Sequence, residues 1–299
     1  MSDYAIKAGT KFPTELVAEM FDAVQGHSAL AKLSPETPIP FNGVTEMVFS
    51  DSGEAQLVAE GGAKAGAQGT VAPKVIKPQK FVYQQRVSDE FMKAGDEGRL
   101  QYLTGFAEGF ARKIARGFDI AAIHGLEPST LTDASFKSTN SFDGLVTNIE
   151  TYNASTIDAN IEAAIADITG TATGIALSKD AGAALGSLKA NGVPQFPEFR
   201  FGQNPDAFYG MASDVNSTIN VAKAAASAED KILVGNFEAF KWGYADNIPL
   251  EVIRYGDPDG AGRDLKQYNE VCLRAEAYIG WGILDANAFA LVQGAVTSA

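Results

Sequence analysis

Cysteine and histidine are almost missing from this chain: Cys272, His27 and His124 are its whole supply of the two types. A lone cysteine excludes an intrachain disulfide and any multi-cysteine metal site. Cys272 falls in a strand-like stretch and reads as a small buried apolar residue. His27 follows a helix-ending glycine, and His124 falls in the last turn of a helix, where a cation suits the dipole. Both histidines therefore read as structural. Catalytic signatures are missing too: there is no HExxH, GxSxG or GxxxxGK(S/T) pattern. The pair Gly61-Gly62 lacks the following helix that a phosphate cradle needs. Asp257, Asp259 and Asp264 stand among glycines without Ca²⁺-loop spacing, which leaves turn chemistry as their reading. Positive charge is in deficit, with 24 Lys and Arg against 37 Asp and Glu and a formal net charge of −13. That balance argues against a general grip on phosphate and leaves room only for a local basic patch. The chain opens without a basic segment leading into an apolar run, and no apolar stretch is long enough to cross a bilayer. The expectation is a soluble protein of a reducing, intracellular compartment.

What is present is ordinary globular material. The 299 residues are 45% hydrophobic and 20% charged, enough for one large domain or two of average size. The most organised stretch is Asp96 to Gly125. Leu100, Leu103, Phe106, Phe110, Ile114, Phe118 and Ala121 recur at spacings of three and four, the period of one helical face. Arg99, Glu108, Arg112, Lys113, Arg116 and Asp119 fall on the other side, with Glu108 and Arg112 in the favourable i,i+4 order. Asp96 reads as the N-cap and Gly125 as the stop. At ~1.5 Å per residue the predicted helix is about 40 Å long. Gly105, Gly109 and Gly117 each cost such a helix about 1 kcal/mol, and predict a flat contact with another backbone.

Before this helix the chain looks extended. Met1 to Thr10 is polar, a short helix opens at Phe12-Pro13-Thr14-Glu15 with Leu16, Val17, Met20, Phe21 and Val24 on one face, and a second helical piece spans Ser28 to Leu33. Pro35, Pro38 and Pro40 then force an extended path. This opening segment has no core of its own, which predicts an arm lying on something else. Val44 to Phe49 reads as a strand, residues 51 to 75 as a long Gly- and Ala-rich loop, and Val75 to Val87 as a returning strand. A two-stranded arm of this kind is marginal in water and needs a partner surface. Ser88 caps a short helix.

After the long helix the texture changes. From Thr151, a helix capped by Ser155 carries Ile157, Ile161, Ala164, Ile165 and Ile168 on one face. A strand at Gly174 to Ser178 follows, then a small-residue helix at Asp180 to Lys189 closed by Asn191-Gly192, then strands at Phe208 to Val215 and Lys231 to Val234. This block reads as an α/β subdomain. Strands at Trp242 to Tyr244 and Pro249 to Tyr255, a turn at Gly256 to Gly262 and a long strand at Tyr268 to Trp281 complete the chain. The long strand places Val271, Leu273, Ala275, Ala277 and Ile279 on one side. The fold class is α+β.

In this order the features resemble one family, the major capsid proteins of tailed bacteriophages with the Hong Kong 97 fold. Phe12-Pro13-Thr14-Glu15-Leu16 and Ser28 to Leu33 look like its N-terminal arm. Ala55 to Ala63 is similar to the first half of its extended E-loop, and Lys77-Pro78-Gln79-Lys80-Phe81 with Arg86 to Glu90 to the returning strand. Asp96 to Gly125 resembles the spine helix of its P-domain, Gly174 to Lys189 its axial A-domain, and Val234 to Phe237 with Ala275 to Phe289 the return into the P-domain. The resemblance implies an N-terminal arm at 1–43, an E-loop hairpin at 44–87, a P-domain at 88–140 around the helix 96–125, an A-domain at 141–235 and a return at 236–299. One departure is His124-Gly125-Leu126-Glu127-Pro128, where family members often have a Gly-Asp-Gly-like turn.

The resemblance also implies a structural subunit and no enzyme, with no cofactor and no catalytic or metal-ligating residue. Such a chain assembles with itself into pentamers and hexamers of an icosahedral head around double-stranded DNA, without sequence-specific binding and without a membrane. It would be made in the host bacterial cytoplasm and reside in the virion capsid. A separate scaffold protein, a portal and a maturation protease are the further implied partners. Glu60, Lys64, Lys74, Lys77, Lys80 and Arg86 are the implied inter-subunit contacts. One branch of the family joins a loop Lys to a neighbour's Asn with the help of a Glu. Here the matching places hold Pro73 beside Lys74, and Gly256-Asp257-Pro258-Asp259 without a Glu, so the implied shell is not cross-linked. Two readings compete: an encapsulin-like compartment of the same fold, and an α/β enzyme with a mobile lid at 51–75.

Overall fold

The long helix forms where its periodicity places it. The computed structural model describes residues 27–52, 57, 58, 60, 62, 66, 68–92, 96–221, 228–245 and 250–295, and in it the helix spans Asp96–His124 and ends at Gly125, whose φ is +61°. The expected helix at residues 12 to 26 and the greater part of the expected arm lie outside the described residues. Leu103, Phe106, Phe110, Ile114, Phe118 and Ala121 are buried, while Glu108, Arg112, Lys113 and Arg116 are exposed. Asp119 departs from the expected polar face. Every residue from Phe118 to His124 is buried, so the helix has no solvent side there. The helix glycines also differ from expectation, because none touches another backbone. A Cβ would meet nothing within 4 Å at Gly105, the Tyr83 hydroxyl at 3.9 Å at Gly109, and the Phe81 ring at 3.4 Å at Gly117.

Numbered along the chain, the strands of the described residues begin with β1 (Val44–Ser52), β2 (Gln68–Ile76), β3 (Gln79–Ser88), β4 (Ile149–Thr151) and β5 (Gly174–Leu177). There follow β6 (Lys189–Ala190), β7 (Val193–Pro194), β8 (Ala207–Phe208), β9 (Met211–Val215) and β10 (Ala228–Gly235). The last four are β11 (Phe240–Tyr244), β12 (Leu250–Ile253), β13 (Glu270–Ile283) and β14 (Phe289–Ala295). The expected single strand from Val75 to Val87 is therefore two. β2 pairs antiparallel with β1, and β3 leaves for β13, with the break at Lys77-Pro78, where proline has no N–H to extend a ladder. Likewise the stretch Phe208 to Val215 turns back at Tyr209 (φ +48°) and Gly210 (φ +85°), the positive φ pair of a two-residue hairpin. The helix at Ile157–Ala166 takes no cap from Ser155. Asn153 instead accepts the Ser155 N–H and starts a 3₁₀ turn ahead of it.

Two larger sheets make the body. β13 carries β3 along one edge and β11 and β12 along the other, all antiparallel. Its residues Val271, Leu273, Ala275, Ala277, Ile279 and Trp281 are buried against the long helix. Trp242 and Trp281 stand opposite each other on β11 and β13, and the Phe118 ring lies 5.3 Å and 5.8 Å from them. Both indole N–H groups are satisfied by carbonyls, at Ser34 (2.8 Å) and Asn140 (3.0 Å). The second sheet runs β4-β14-β10-β5-β9-β8. Its strand β14 comes from the last stretch of the chain. This sheet is covered on both faces. Ala176, Leu233, Phe289 and Leu291 join the core under the long helix, while Ile175, Leu177, Ile232, Val234, Ala290 and Val292 meet the helices Ile157–Ala166 and Lys179–Ser187. Two-sided burial is why Ile232 to Val234 of β10 and Phe289 to Val292 of β14 read as apolar runs rather than alternating strands.

Candidate assembly surface

The described part of the opening segment does not wait for a neighbour. Ser28 caps the helix Ala29–Leu33 by accepting the Ala31 N–H, and Ala29, Leu30 and Leu33 are buried in the subunit's own core. Beyond it, Thr37 donates to the Trp242 carbonyl (2.8 Å) and Ile39 to that of Tyr244 (3.3 Å), so the chain runs along β11. Gly243 allows that approach, since a Cβ there would sit 1.9 Å from the Thr37 oxygen.

The β1–β2 hairpin is different. Among the described residues it is a two-stranded sheet fastened at its base. Ile76 is fully buried against Gly280 and Gly282 of β13, Lys241 binds Glu46 at 2.9 Å, and Lys74 donates to the Thr139 carbonyl at 3.0 Å. Residues directly opposite in an antiparallel pair share a face. One face therefore holds Val44 with Ile76, Glu46 with Lys74 and Val48 with Ala72. The other holds Thr45 with Val75, Met47 with Pro73 and Phe49 with Val71. This second face is apolar and open: Met47 is 57% exposed, Phe49 74%, Val71 54% and Val75 52%. Covering such side chains is worth roughly 1.5–3 kcal/mol each.

The residues implied as contacts do not gather into one place. Glu60 is exposed between the hairpin strands, and Lys64 lies outside the described residues. Lys74 is half-buried, and burial pushes its ammonium below the usual lysine value. Lys77 is exposed, and Lys80 binds Glu276 across the β3–β13 ladder at 2.8 Å. Arg86 is the most heavily engaged. Its guanidinium meets Asp257 (2.5 Å), Asp259 and Glu270 (3.1 Å), and also the Arg263 carbonyl (3.2 Å). Hydrogen bonding to Arg86 holds the Asp259 carboxyl well below the usual carboxylate range. Asp257 in turn accepts the N–H groups of Ala261 (2.9 Å) and Gly262 (2.8 Å), so Arg86 clamps the turn at 256–264.

His124 does more than complement a helix dipole. Its Nε2 donates to the Thr218 carbonyl at 2.8 Å, and its Nδ1 faces Asp230 at 3.0 Å and Asp143 at 3.3 Å. Among the described residues these three are the one group of imidazole and carboxylates close enough to share a metal ion. His124 and Asp230 are buried and Asp143 is partly so, and the cluster ties the end of the long helix to β10 and to the helix Phe142–Leu145. Cys272 is free and buried, as its strand setting implied. No helix among the described residues is long and apolar enough to cross a membrane.

An open apolar hairpin on a body with two closed cores suits a subunit that is completed by its neighbours. The comparisons agree: a profile described as the phage capsid family matches residues 9–294. The chain belongs to the phage capsid family. A solved structure from Mycobacterium phage Ogopogo is similar at 30% identity and a TM-score of 0.78, over 90% of this chain and 92% of that one. One from Gordonia phage Cozz superposes at a TM-score of 0.70 with 22% identity, over 99% of this chain and 91% of that one. The capsid of a native GTA particle shares the fold at a TM-score of 0.58 and 13% identity, over 99% of this chain and 95% of that one. No curated protein matches the chain. The capsid protein therefore has the Hong Kong 97 type of fold and is a structural subunit of the virion shell. The family match favours neither an enzyme nor an encapsulin-like compartment.

Proposed function

We propose that this capsid protein builds an icosahedral head of pentamers and hexamers around double-stranded DNA, and that the β1–β2 hairpin is the extended E-loop that reaches over a neighbouring subunit. The observation that carries this is the exposed Met47, Phe49, Val71 and Val75 face, which has no cover within the chain among the described residues. The long helix with the β3–β11–β12–β13 sheet then corresponds to the P-domain, and the six-stranded sheet with its two outer helices to the A-domain. Lys77 and Glu60, both exposed, are the implied contact residues left free to meet a neighbour, while Lys74, Lys80 and Arg86 brace the hairpin base and the 256–264 turn. A net charge of −13 suits a container whose walls do not hold its nucleic acid tightly. A scaffold protein, a portal and a maturation protease are the partners such a head calls for, with assembly in the host cytoplasm.

The test is electron microscopy of the purified chain beside a variant lacking residues 54–66. The intact chain should give rings or shells. The shortened one should keep its circular dichroism and stay small. Light scattering that shows only a monomer near 31.5 kDa for the intact chain, across salt and concentration, would overturn the reading.

A further inference from the structure

We propose that Asp119 is a proton-sensitive latch that holds the arm helix Ala29–Leu33 on the body of the subunit. The geometry points to it directly. The Asp119 side chain is fully buried in the long helix, yet it reaches the start of another helix. It accepts the Ser28 hydroxyl at 2.5 Å, the Ala29 N–H at 2.9 Å and the Leu30 N–H at 3.4 Å. A fourth donor is the Thr218 hydroxyl at 2.7 Å. Ser28 covers only the Ala31 N–H of that helix, at 3.1 Å, so two of its remaining first-turn donors depend on a residue about ninety positions away. A helix of five residues cannot hold itself together in water. Its order rests on Leu30 and Leu33 in the core and on the Asp119 side chain.

No ion pair neutralises Asp119 among the described residues. The charged groups around it are committed elsewhere. On the arm helix, Lys32 binds Asp206 at 2.9 Å and Asp214, the β9 acid, at 3.2 Å. On its own helix, His124 meets the carbonyl of Thr218, the residue whose hydroxyl serves Asp119, and behind His124 stand Asp143 and Asp230. Burial therefore outweighs the four hydrogen bonds and pushes the Asp119 acid up to about 6. With the arm lifted and the side chain in water, it returns to the ordinary aspartate value near 4. An acid raised on docking takes up a proton as it docks. The stabilisation is complete below about pH 4 and is lost as pH rises through about 6. The latch belongs to the single subunit and does not depend on how subunits meet.

The experiment is hydrogen exchange of the full chain, read on the amides of Ala29 to Ser34 at pH 4.5 and pH 7.5 after correction for intrinsic rates. Protection should fall about tenfold or more between the two, since one pH unit of coupling is a factor of ten. Asp119→Asn should keep the helix protected and abolish the difference. Thr218→Val removes one donor from the carboxylate and should move the transition to higher pH, which serves as a second reading if Asp119→Asn folds poorly. Equal protection at both pH values in the unaltered chain, the same pH dependence in Asp119→Asn, or an unmoved transition in Thr218→Val would each overturn the latch.

Discussion

Ile76 of the hairpin closes on Gly282 of β13: a Cβ on that glycine would stand 2.6 Å from Ile76 Cγ1. No side chain fits between them. The hairpin therefore enters the body through one tight contact, with two polar bonds beside it. Glu46 and Lys74 face each other across the hairpin, yet Glu46 pairs with Lys241 and Lys74 donates to the Thr139 carbonyl. These bonds join the hairpin to the body, where a Glu46–Lys74 pair would have joined it only to itself.

Gly282→Ala should accordingly destabilise the subunit by about 1–3 kcal/mol, the usual cost of overpacking a closed contact. Ile76→Ala, which removes Cγ1, should relieve part of that cost. Thermal or urea unfolding of the two single variants and the double variant measures it. Strict additivity would show that the two side chains do not meet.

Phe49→Ser and Val71→Ser test the open face. Both residues are more than half exposed, so unfolding stability should stay within about 0.5 kcal/mol of the parent. Particle yield by electron microscopy should collapse, because the cost falls on the covered state alone. Normal particles from the double variant would mean that no neighbour uses this face.

The same elements show what was legible beforehand and what was not. Phe106, Phe110, Ile114 and Phe118, and Val271 to Ile279, were readable because each lies in one long element whose period repeats several times. The division of β2 from β3 was hidden, since strand texture continues through Lys77-Pro78 and only the choice of partner changes. The Met47–Phe49 face was overlooked for another reason. Residues 51 to 75 read as a Gly- and Ala-rich loop, so the partners of Met47 and Phe49 are hidden there, while the signal lies in the alternation of Thr45, Met47 and Phe49 against Val71, Pro73 and Val75. Asp119 could not be placed from its helical position, because Ser28 and Thr218 lie far away in the chain.

Gly105→Ala should stabilise the subunit by about 1 kcal/mol, the helix propensity difference between the two residues. A Cβ there meets nothing within 4 Å, so no packing term opposes the gain. A raised midpoint in urea with an unchanged slope is the expected result. If stability rises but particles fail to form, the open side of the long helix at Gly105 is itself a contact between subunits.

The particle should be free of covalent cross-links. Joining a lysine to a neighbour's asparagine needs an uncharged amine and a carboxylate free to take its proton. Lys74 comes nearest to the first requirement, since burial lowers its pKa, but its Nζ is spent on the Thr139 carbonyl. The acids of the 256–264 turn fail the second. Asp257 and Asp259 both lie on Arg86, and that guanidinium holds Asp259 far below the range in which a carboxylate accepts a proton from an amine. Glu270, on the adjoining strand, is bound by Arg86 and by Arg263 at 2.8 Å. Boiled, reduced particles should therefore run as one band at monomer mass. Arg86→Ala would free Asp257 and Asp259 of the guanidinium and leave Glu270 on Arg263 alone, yet it should still give a single band, because Lys74 stays engaged at the hairpin base. A ladder from the unaltered particle would mean that a lysine other than Lys74, namely Lys64 or Lys77, finds a base on the neighbouring subunit.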